Sequence, residues 1–258
     1  MASTTERISP SEKRKLRARW SDESLDELNR NLIRSIPKEP AWSLEELRSR
    51  IEGRVRVGDE EFVDLRGAKL WGLKNIDWEH VDFSAARFVR GVYAPRLIGT
   101  GSLGNIATEL RDCRFVSIDA DGPQIQGKFT RCDFSHAKLK RAQFWDAALT
   151  DCRFVGADIS RGKCRTNVEF VRCDFSGAKF RSFHQFGRML IEDCIFDDAD
   201  FDHAGIMGTT FRRCSFEGAK LTQIITENVK WEEMEPPEYT EFAMPKNINW
   251  RGGSQEEN

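Results

Sequence analysis

The chain has little of what marks an enzyme, a nucleic-acid-binding protein or a membrane protein. Its 258 residues include only four histidines, and the formal net charge is −2. No apolar run approaches the roughly 20 residues that a membrane span needs. The N-terminal stretch also lacks the apolar core of a secretory signal. We therefore expect a soluble, cytoplasmic protein, while secretion without a cleaved signal, as for an injected bacterial effector, stays open.

Sequence motifs that start a chemical reaction are missing as well. The chain contains no Gly-x-Ser-x-Gly, no phosphate loop and no dinucleotide fingerprint, so nucleophilic and nucleotide chemistry lack a starting residue. Its seven cysteines include no Cys-x-x-Cys pair of the kind that zinc sites use. We predict no catalytic, cofactor-binding or metal-binding residues.

What the sequence has instead is a five-residue repeat, in which a small residue precedes a large apolar residue by two positions. Ala137/Leu139 and Ala142/Phe144 are examples. A period of five matches neither the 3.6 of a helix nor the 2.0 of a strand, so the chain must turn a corner in each unit. Four such corners close a coil, and coils that stack on one another form a solenoid.

A second period of 19 to 21 residues supports this geometry. It is carried by a Cys-x-Phe motif that marks one face of each coil, and a neighbouring face carries Leu139, Ile159, Phe180, Phe201 and Leu221. Both sets are predicted to point inward. The motif forms a structural ladder of the phenylalanines Phe115, Phe134, Phe154, Phe175, Phe196 and Phe216 and the cysteines Cys113, Cys132, Cys152, Cys173, Cys194 and Cys214.

The repeat also predicts the size of the solenoid and its irregularities. With coils about 4.8 Å apart, Phe62–Val229 would form roughly eight coils and a rod roughly 40 Å long. The frame gains a residue within Cys164–Phe170 and within Phe180–Phe186, and it loses one within Ile125–Phe129. These are expected to be bulged corners, and Tyr93–Leu110 is interpreted as irregular coil.

These units resemble the pentapeptide repeat family, whose unit is Ala, then Asp or Asn, then Leu or Phe, then two polar residues. Here the unit appears as Ala157-Asp158-Ile159 and as Ala199-Asp200-Phe201. The resemblance covers roughly two-thirds of the chain and implies an all-β solenoid, a right-handed quadrilateral parallel β-helix. The chain departs from the family pattern in its cysteine-rich face and in the Arg and Lys that replace Asp or Asn.

The segments on either side of the repeat are predicted to cover its ends. Residues 1–20 are basic and expected to be flexible, and residues 21–61 form a small α-helical segment that caps the β-helix of residues 62–229. Within that segment, Ser21–Pro37 and Ser43–Gly53 carry helix start and stop signals. Residues 230–258 form an acidic C-terminal cap or tail that offers the apolar residues Phe242, Met244, Ile248 and Trp250.

The cysteines and histidines are both interpreted as structural. Cysteine packs as a small hydrophobe and stays reduced in the cytoplasm, so free thiols that fill the core are expected, including Cys164. The five-residue frame places His80, His136 and His203 outward and His184 at an inward small position. A buried histidine with a hydrogen-bond partner is the favoured reading of His184. The third hypothesis is an enzyme of unknown class, and the features that would support it are His184 and the irregular segment Tyr93–Leu110.

A rod with flat faces favours binding over catalysis. The leading hypothesis is a non-enzymatic scaffold that binds a partner protein of unknown identity. Nucleic acid is disfavoured as a partner, and no membrane partner is expected. A homodimer stays open. The alternative implied by the resemblance is a DNA mimic that protects the topoisomerase DNA gyrase. Between Arg111 and Leu221, however, 18 basic residues outnumber 16 acidic ones. The candidate interaction face consists of the arginines Arg111, Arg114, Arg131, Arg153, Arg172 and Arg213, although interspersed aspartates also predict surface salt bridges.

Overall fold

The computed structural model describes residues 6–21, 23, 25, 29, 49, 51, 53–73, 78–88, 102–103, 109–185 and 188–241. The elements are helix α1 (Pro10–Ala18) and strands β1 (Arg54–Val57), β2 (Glu60–Asp64), β3 (Lys69–Leu70), β4 (Gly72–Leu73), β5 (Trp78–Glu79), β6 (Val81–Asp82), β7 (Arg87–Phe88), β8 (Ser102–Leu103), β9 (Glu109–Arg111), β10 (Asp119–Ala120), β11 (Gln124–Thr130), β12 (Gln143–Thr150), β13 (Lys163–Cys164), β14 (Val168–Val171), β15 (His184–Gln185), β16 (Met189–Glu192), β17 (Gly205–Met207), β18 (Thr209–Arg212), β19 (Ile225–Glu227) and β20 (Lys230–Glu232). Within this part of the chain, no helix has the length and apolar content needed to span a bilayer.

The strands stack as parallel ladders, each pairing with the strand one coil further along. One face is the ladder β11-β12-β14-β16-β18-β20, and β12-β13-β15-β17-β19 forms the next. Single bridges, such as those of Asp133 with Arg153 and of Lys138 with Asp158, join the coils on the other two faces. The expected fold class, a four-sided parallel β-solenoid, is confirmed. About seven turns separate Leu65 from Phe216, close to the roughly eight coils that the repeat predicts.

Stacked aromatic rings fill the interior. The rings of Phe115 and Phe134 lie 4.6 Å apart with planes 4° from parallel, and Phe154 lies 4.8 Å from both Phe134 and Phe175. The cysteines beside them are free, and all but Cys214 are buried. Their thiols point at backbone carbonyls of the coil, so the small positions are filled without disulfides. Close packing of this kind fills the interior between Phe115 and Phe154. Further along the rod, a small apolar cavity of about 30 Å³ lies among Phe170, Phe183 and Gln185.

The bulged corners predicted from the repeat are found, with one shift in position. The pairing of β11 with β12 slips between Ile125 and Gly127, where the frame loses a residue. At β15 the sequence placed His184 inward, and this prediction was wrong. His184 is exposed and Gln185 is 1% exposed, because the backbone pairs Cys164 with Gln185 and keeps the five-residue step from Phe180. The extra residue therefore falls after Gln185. Phe186 lies outside the described residues.

The basic N-terminus contains helix α1, which the sequence pattern did not predict. Ser9 caps helix α1 by accepting a hydrogen bond from the Glu12 backbone N–H at 3.2 Å. The helix lies along a corner of the first coils. Its side chains reach backbone carbonyls there, with Arg17 donating to Ala85 O at 3.0 Å. Just after the helix, the Trp20 indole donates to Arg66 O at 2.8 Å. Turn carbonyls that point outward thus hold the helix in place.

The ends of the solenoid are partly covered. Strand β1 pairs antiparallel with β2, which in turn pairs parallel with β6, so β1 covers the backbone edge of the first coil. The described positions 23, 25, 29 and 49 are helical, and the remainder of the two predicted helices lies outside the described residues. At the other end, Glu241 bridges Ile224. Residues 242–258, with the four predicted capping side chains, lie outside the described residues, as does most of Tyr93–Leu110.

Candidate protein-interaction surface

The corner residues next to the cysteine face form a column in which acidic and basic side chains alternate. These residues adopt φ values near +50°, a left-handed conformation that lets the chain turn sharply between faces. We call this set the ion-pair column; it consists of His80, Asp112, Arg131, Asp151, Arg172, Asp193, Arg213 and Glu233. Each member stacks on a residue of opposite charge in the next coil, apart from His80, whose charge depends on pH.

Short contacts bind the members of this column to one another. Arg131 donates to both carboxylate oxygens of Asp112 at 2.6 Å, and Arg172 holds Asp151 in the same two-pronged way at 2.7 and 2.9 Å. Arg213 reaches Asp193 at 2.7 Å. The hydrogen bonds from Arg172 lower the pKa of Asp151. These charges satisfy each other, so the column offers little net attraction to a partner.

The six arginines predicted as one interaction face therefore lie in three places. Arg131, Arg172 and Arg213 belong to the ion-pair column. Arg114 and Arg153 lie on the adjoining flat face, where the backbone of each forms a β-bridge with the backbone of Asp133. The Arg114 side chain also lies 3.5 Å from the buried Asp82 carboxylate, whose pKa is raised by burial. Arg111 is on β9 and pairs with Glu109 at 2.5 Å. The geometry thus places most of them in salt bridges.

A groove runs along a different side of the rod, and the sequence analysis did not point to it. It has a volume of about 920 Å³ and crosses several coils. Its lining is mostly charged, and the basic side chains outnumber the acidic ones. We call this surface the basic groove; its charged lining residues are Arg87, Lys138, Lys140, Arg141, Arg161, Lys179, Arg181 and His203 together with Asp119, Asp121, Asp158 and Asp202.

Part of the positive charge in the basic groove is not neutralised. Lys138 pairs with Asp119 at 3.5 Å and Lys140 with Asp158 at 3.4 Å, and Arg141 and Arg181 also contact carboxylates. By contrast, three cations in the lining have no ion-pair partner among the residues that the structure describes. These three are Arg87, Arg161 and Lys179.

Helix α1 adds to the positive character of the groove at its N-terminal end. Arg17 lies 2.5 Å from one carboxylate oxygen of Asp119, and Lys13 lies 3.9 Å from the other. Burial raises the pKa of Asp119, but the hydrogen bond from Arg17 and the charge of Lys13 outweigh this effect and lower it. Asp119 is therefore surrounded by cations. It contributes little net negative charge to the surface.

A protein-family model also detects the five-residue repeat in this chain. The family described as "Pentapeptide repeats (8 copies)" matches residues 128–162, within the most regular coils of the structure. Residues 128–162 therefore carry pentapeptide repeats. The resemblance drawn from its five-residue units is confirmed.

Solved structures of other pentapeptide repeat proteins are similar to this one at low sequence identity. Full-length QnrB1, a plasmid-mediated fluoroquinolone resistance protein, is 14% identical, with 64% of this chain and 88% of that chain covered and a TM-score of 0.33. A pentapeptide repeat protein from the Arabidopsis thaliana thylakoid lumen is 23% identical over 37% of this chain and 61% of that one, with a TM-score of 0.22. HetL, involved in heterocyst differentiation regulation in the cyanobacterium Nostoc sp. strain PCC 7120, is 13% identical over 63% and 87%, with a TM-score of 0.17. No curated protein matches the chain in sequence.

The histidines of this chain are spread over separate coils. His203 lies 3.1 Å from Asp202 at the exposed end of the basic groove. His184 stands outward on β15, and burial followed by the charge of Lys163 lowers its pKa. Within the described part of the chain, no two of the four histidines lie on the same coil. Each histidine is therefore apart from the others.

One group of potential metal ligands comes together at the start of the ion-pair column. Oxygen and nitrogen atoms of Glu79, His80 and Asp112 lie within 4.8 Å of one another. The sequence pattern gave no signal for it, because His80 and Asp112 are far apart in the chain and meet only when the coils stack. Asp112 is already held by two hydrogen bonds from Arg131. This cation competes directly with a metal for the carboxylate, and His80 and Asp112 are better explained as members of the ion-pair column.

Proposed function

We propose that this protein is a non-enzymatic scaffold that binds a partner protein through the basic groove. The observation that supports this proposal is a concave surface whose cations Arg87, Arg161 and Lys179 have no ion-pair partner among the described residues. The stacked strands keep the spacing of the backbone, so little backbone freedom is lost when a partner binds. A rigid, charged surface of this kind suits recognition better than catalysis.

Affinity capture from the native host tests the proposal. Tagged full-length protein is compared with a chain that starts near Phe62 and with a variant carrying Arg161→Glu and Lys179→Glu, and retained proteins are identified by mass spectrometry. A saturable partner that full-length protein retains and the charge-reversed variant loses supports the proposal. If no partner binds saturably to the full-length protein, the scaffold function is wrong.

The surface charges do not favour the DNA-mimic alternative. A mimic needs a continuous acidic stripe that imitates the phosphate backbone. Here the residues that pair through backbone β-bridges from one coil to the next alternate between positive and negative charge, as in Lys138, Asp158 and Lys179. We therefore expect the purified protein to leave the supercoiling activity of DNA gyrase unchanged in vitro. Inhibition or protection of gyrase at stoichiometric concentration would restore the alternative and contradict this charge argument.

A further inference from the structure

We propose that the basic groove binds an extended acidic peptide that runs parallel to the axis of the rod, with its carboxylates about three residues apart. The inference rests on the proposed scaffold function and specifies the chemistry of the partner segment. It starts from the three cations of the groove without an ion-pair partner in the described structure, Arg87, Arg161 and Lys179. An anionic partner would supply the charges that the coil itself does not.

The spacing of the coils sets the spacing of the ligand. The backbones of Lys138 and Lys179 form β-bridges with the same residue, Asp158, from its two sides. The two lysines therefore lie two coils apart, or about 10 Å at the usual strand separation. An extended peptide advances about 3.3 Å per residue, and three residues therefore also span about 10 Å. Carboxylates at every third position would reach successive basic side chains of this column, whereas contiguous carboxylates would not.

The lysines and arginines of the groove are accessible to a ligand. The side chains of Lys138, Lys140 and Arg141 are 57%, 59% and 60% exposed, although each contacts an aspartate of the coil. Exposed ion pairs of this kind contribute little to stability. A partner carboxylate can replace such a contact at little cost. The groove volume of about 920 Å³ is also at the upper end of the range that binds compact ligands.

The lining favours a peptide over single-stranded nucleic acid. Single-strand binding relies on exposed aromatic rings on which bases stack. The described lining holds no Tyr or Trp, and its Phe88 is 2% exposed. The imidazole of His203 in the lining lies 3.1 Å from Asp202. In addition, Asp121 and Asp158 lie among the cations and would repel an evenly charged phosphate backbone. A peptide with spaced carboxylates avoids both difficulties.

Fluorescence anisotropy with defined peptides tests the inference. The probe is a fluorescein-labelled peptide with glutamates at every third position, separated by glycine and serine, and the comparison is a peptide of the same composition with contiguous glutamates. We expect the full-length protein to bind the spaced peptide more tightly. We also expect Arg161→Glu with Lys179→Glu to weaken this binding at least about tenfold.

The matched control reverses two exposed cations outside the groove, Lys128→Glu and Arg188→Glu, and changes the net charge equally. This control is expected to bind like the unmodified protein. If both double variants lose affinity equally, or if the two peptides bind alike, the groove is not the binding site. A labelled oligonucleotide that binds more tightly than the spaced peptide would also overturn the inference, in favour of nucleic acid.

A second variant guards against misfolding. Arg161→Gln with Lys179→Gln removes the same charges without adding negative ones, and its circular dichroism spectrum and melting temperature report on the fold. It should also lose affinity for the spaced peptide. The scaffold function is judged separately by affinity capture: a partner that the charge-reversed variant still retains would leave that function standing and refute the role of the groove.

Discussion

At the scale of single residues, each inward side chain is constrained by the same position in the coils above and below. Phe154 is fully buried, and its ring stacks 4.8 Å from Phe134 on one side and from Phe175 on the other. Parallel rings at this distance gain dispersion energy in addition to the area that they remove from water. A change at one rung therefore affects both neighbours.

We expect Phe154→Ala to destabilise the fold by about 3–5 kcal/mol, because it leaves a cavity that neighbouring rungs cannot fill. Urea unfolding followed by circular dichroism measures the change. The control is Ile195→Ala, whose side chain is 41% exposed on the outer face and should change stability by less than about 0.5 kcal/mol. Equal effects of the two substitutions would mean that the ring ladder is not the main source of stability.

The cysteines differ from one another in burial, and thiol reactivity should follow that difference. Burial raises the pKa of Cys152 and Cys164, and it raises the pKa of Cys214, the least buried of the seven, to about 12. Since the thiolate is the reactive form, native protein near pH 8 should react slowly with Ellman's reagent, at Cys214 first. All seven should react once the chain is unfolded. Fewer than seven reactive thiols under denaturing, non-reducing conditions would instead reveal a disulfide.

At the scale of elements, helix α1 depends on a corner that has room for it. A Cβ on Gly67, which has a φ of +77°, would lie 2.5 Å from the Leu16 backbone carbon in α1. Gly177 occupies an equivalent corner with a φ of +63°, and a Cβ there meets nothing within 4 Å. Both positions impose the same left-handed strain on alanine, about 1–2 kcal/mol.

Gly67→Ala should therefore release α1, while Gly177→Ala should not. Hydrogen–deuterium exchange of the peptide that covers residues 10–18 measures docking directly. We expect faster exchange in Gly67→Ala than in Gly177→Ala, with similar exchange in the strands of the central coils. Matching exchange at α1 in the two variants would show that the helix does not need this close approach.

Acid should release the same helix. Burial tends to raise the pKa of Asp64, but hydrogen bonds from Arg19 and Arg66 lower it far below its usual range. The pKa of Asp119, which contacts Arg17, is also lowered. Lowered carboxylate pKa values stabilise docking above the unfolded value of about 3.9, and this stabilisation is lost as pH falls below it. Exchange at α1, corrected for intrinsic rates, should rise as the pH falls from about 4 towards about 2, and less steeply in Asp119→Asn. No change with pH would contradict this.

The elements also show how far sequence could predict this fold. The small-x-large pattern places the rings of Phe115 and Phe154 correctly, because a residue that returns every fifth position can only face inward in a four-sided coil. It fails at β15, where apolarity favoured Phe186 over Gln185 as the inward residue. Backbone pairing between Cys164 and Gln185 decides the frame there. A buried amide at that position contradicts the hydrophobic pattern, so sequence alone could not anticipate it.

The candidate surface could not be predicted in the same way. Arg87, Arg161 and Lys179 are far apart in the chain and lie on coils whose relative register depends on every turn between them. Sequence indicates that these residues are outward, but not which of their neighbours neutralise them. The opposite case is Arg131, Arg172 and Arg213, whose regular spacing suggested an interaction face and whose contacts prove to be salt bridges.

At the scale of the whole molecule, a solenoid must protect the strand edges at its two ends. Parallel coils leave the backbone groups of the first coil unpaired, and such an edge invites pairing with another chain. Strand β1 covers part of this edge by pairing with β2 from Arg54↔Val63 to Val57↔Glu60. The net charge of −2 gives little electrostatic repulsion between molecules. Asn29 covers another part of the first coil, because its side chain donates to Lys69 O at 2.9 Å and accepts from the Trp71 N–H at 2.8 Å. Along β2, protection of the edge depends on β1.

We expect Val55→Pro to make the protein associate. The Asp64 N–H donates a hydrogen bond to Gly53 O at 2.9 Å. Because hydrogen-bonded and non-hydrogen-bonded residue pairs alternate along an antiparallel ladder, the Val55 N–H points toward β2 and the Arg56 N–H points away from it. Proline at position 55 thus removes a ladder bond, whereas Arg56→Pro leaves the ladder intact. Size-exclusion chromatography with light scattering should show concentration-dependent oligomers for Val55→Pro that are absent from Arg56→Pro. If both variants keep the mass distribution of the unmodified protein, β1 is not what keeps the first coil from pairing with another chain.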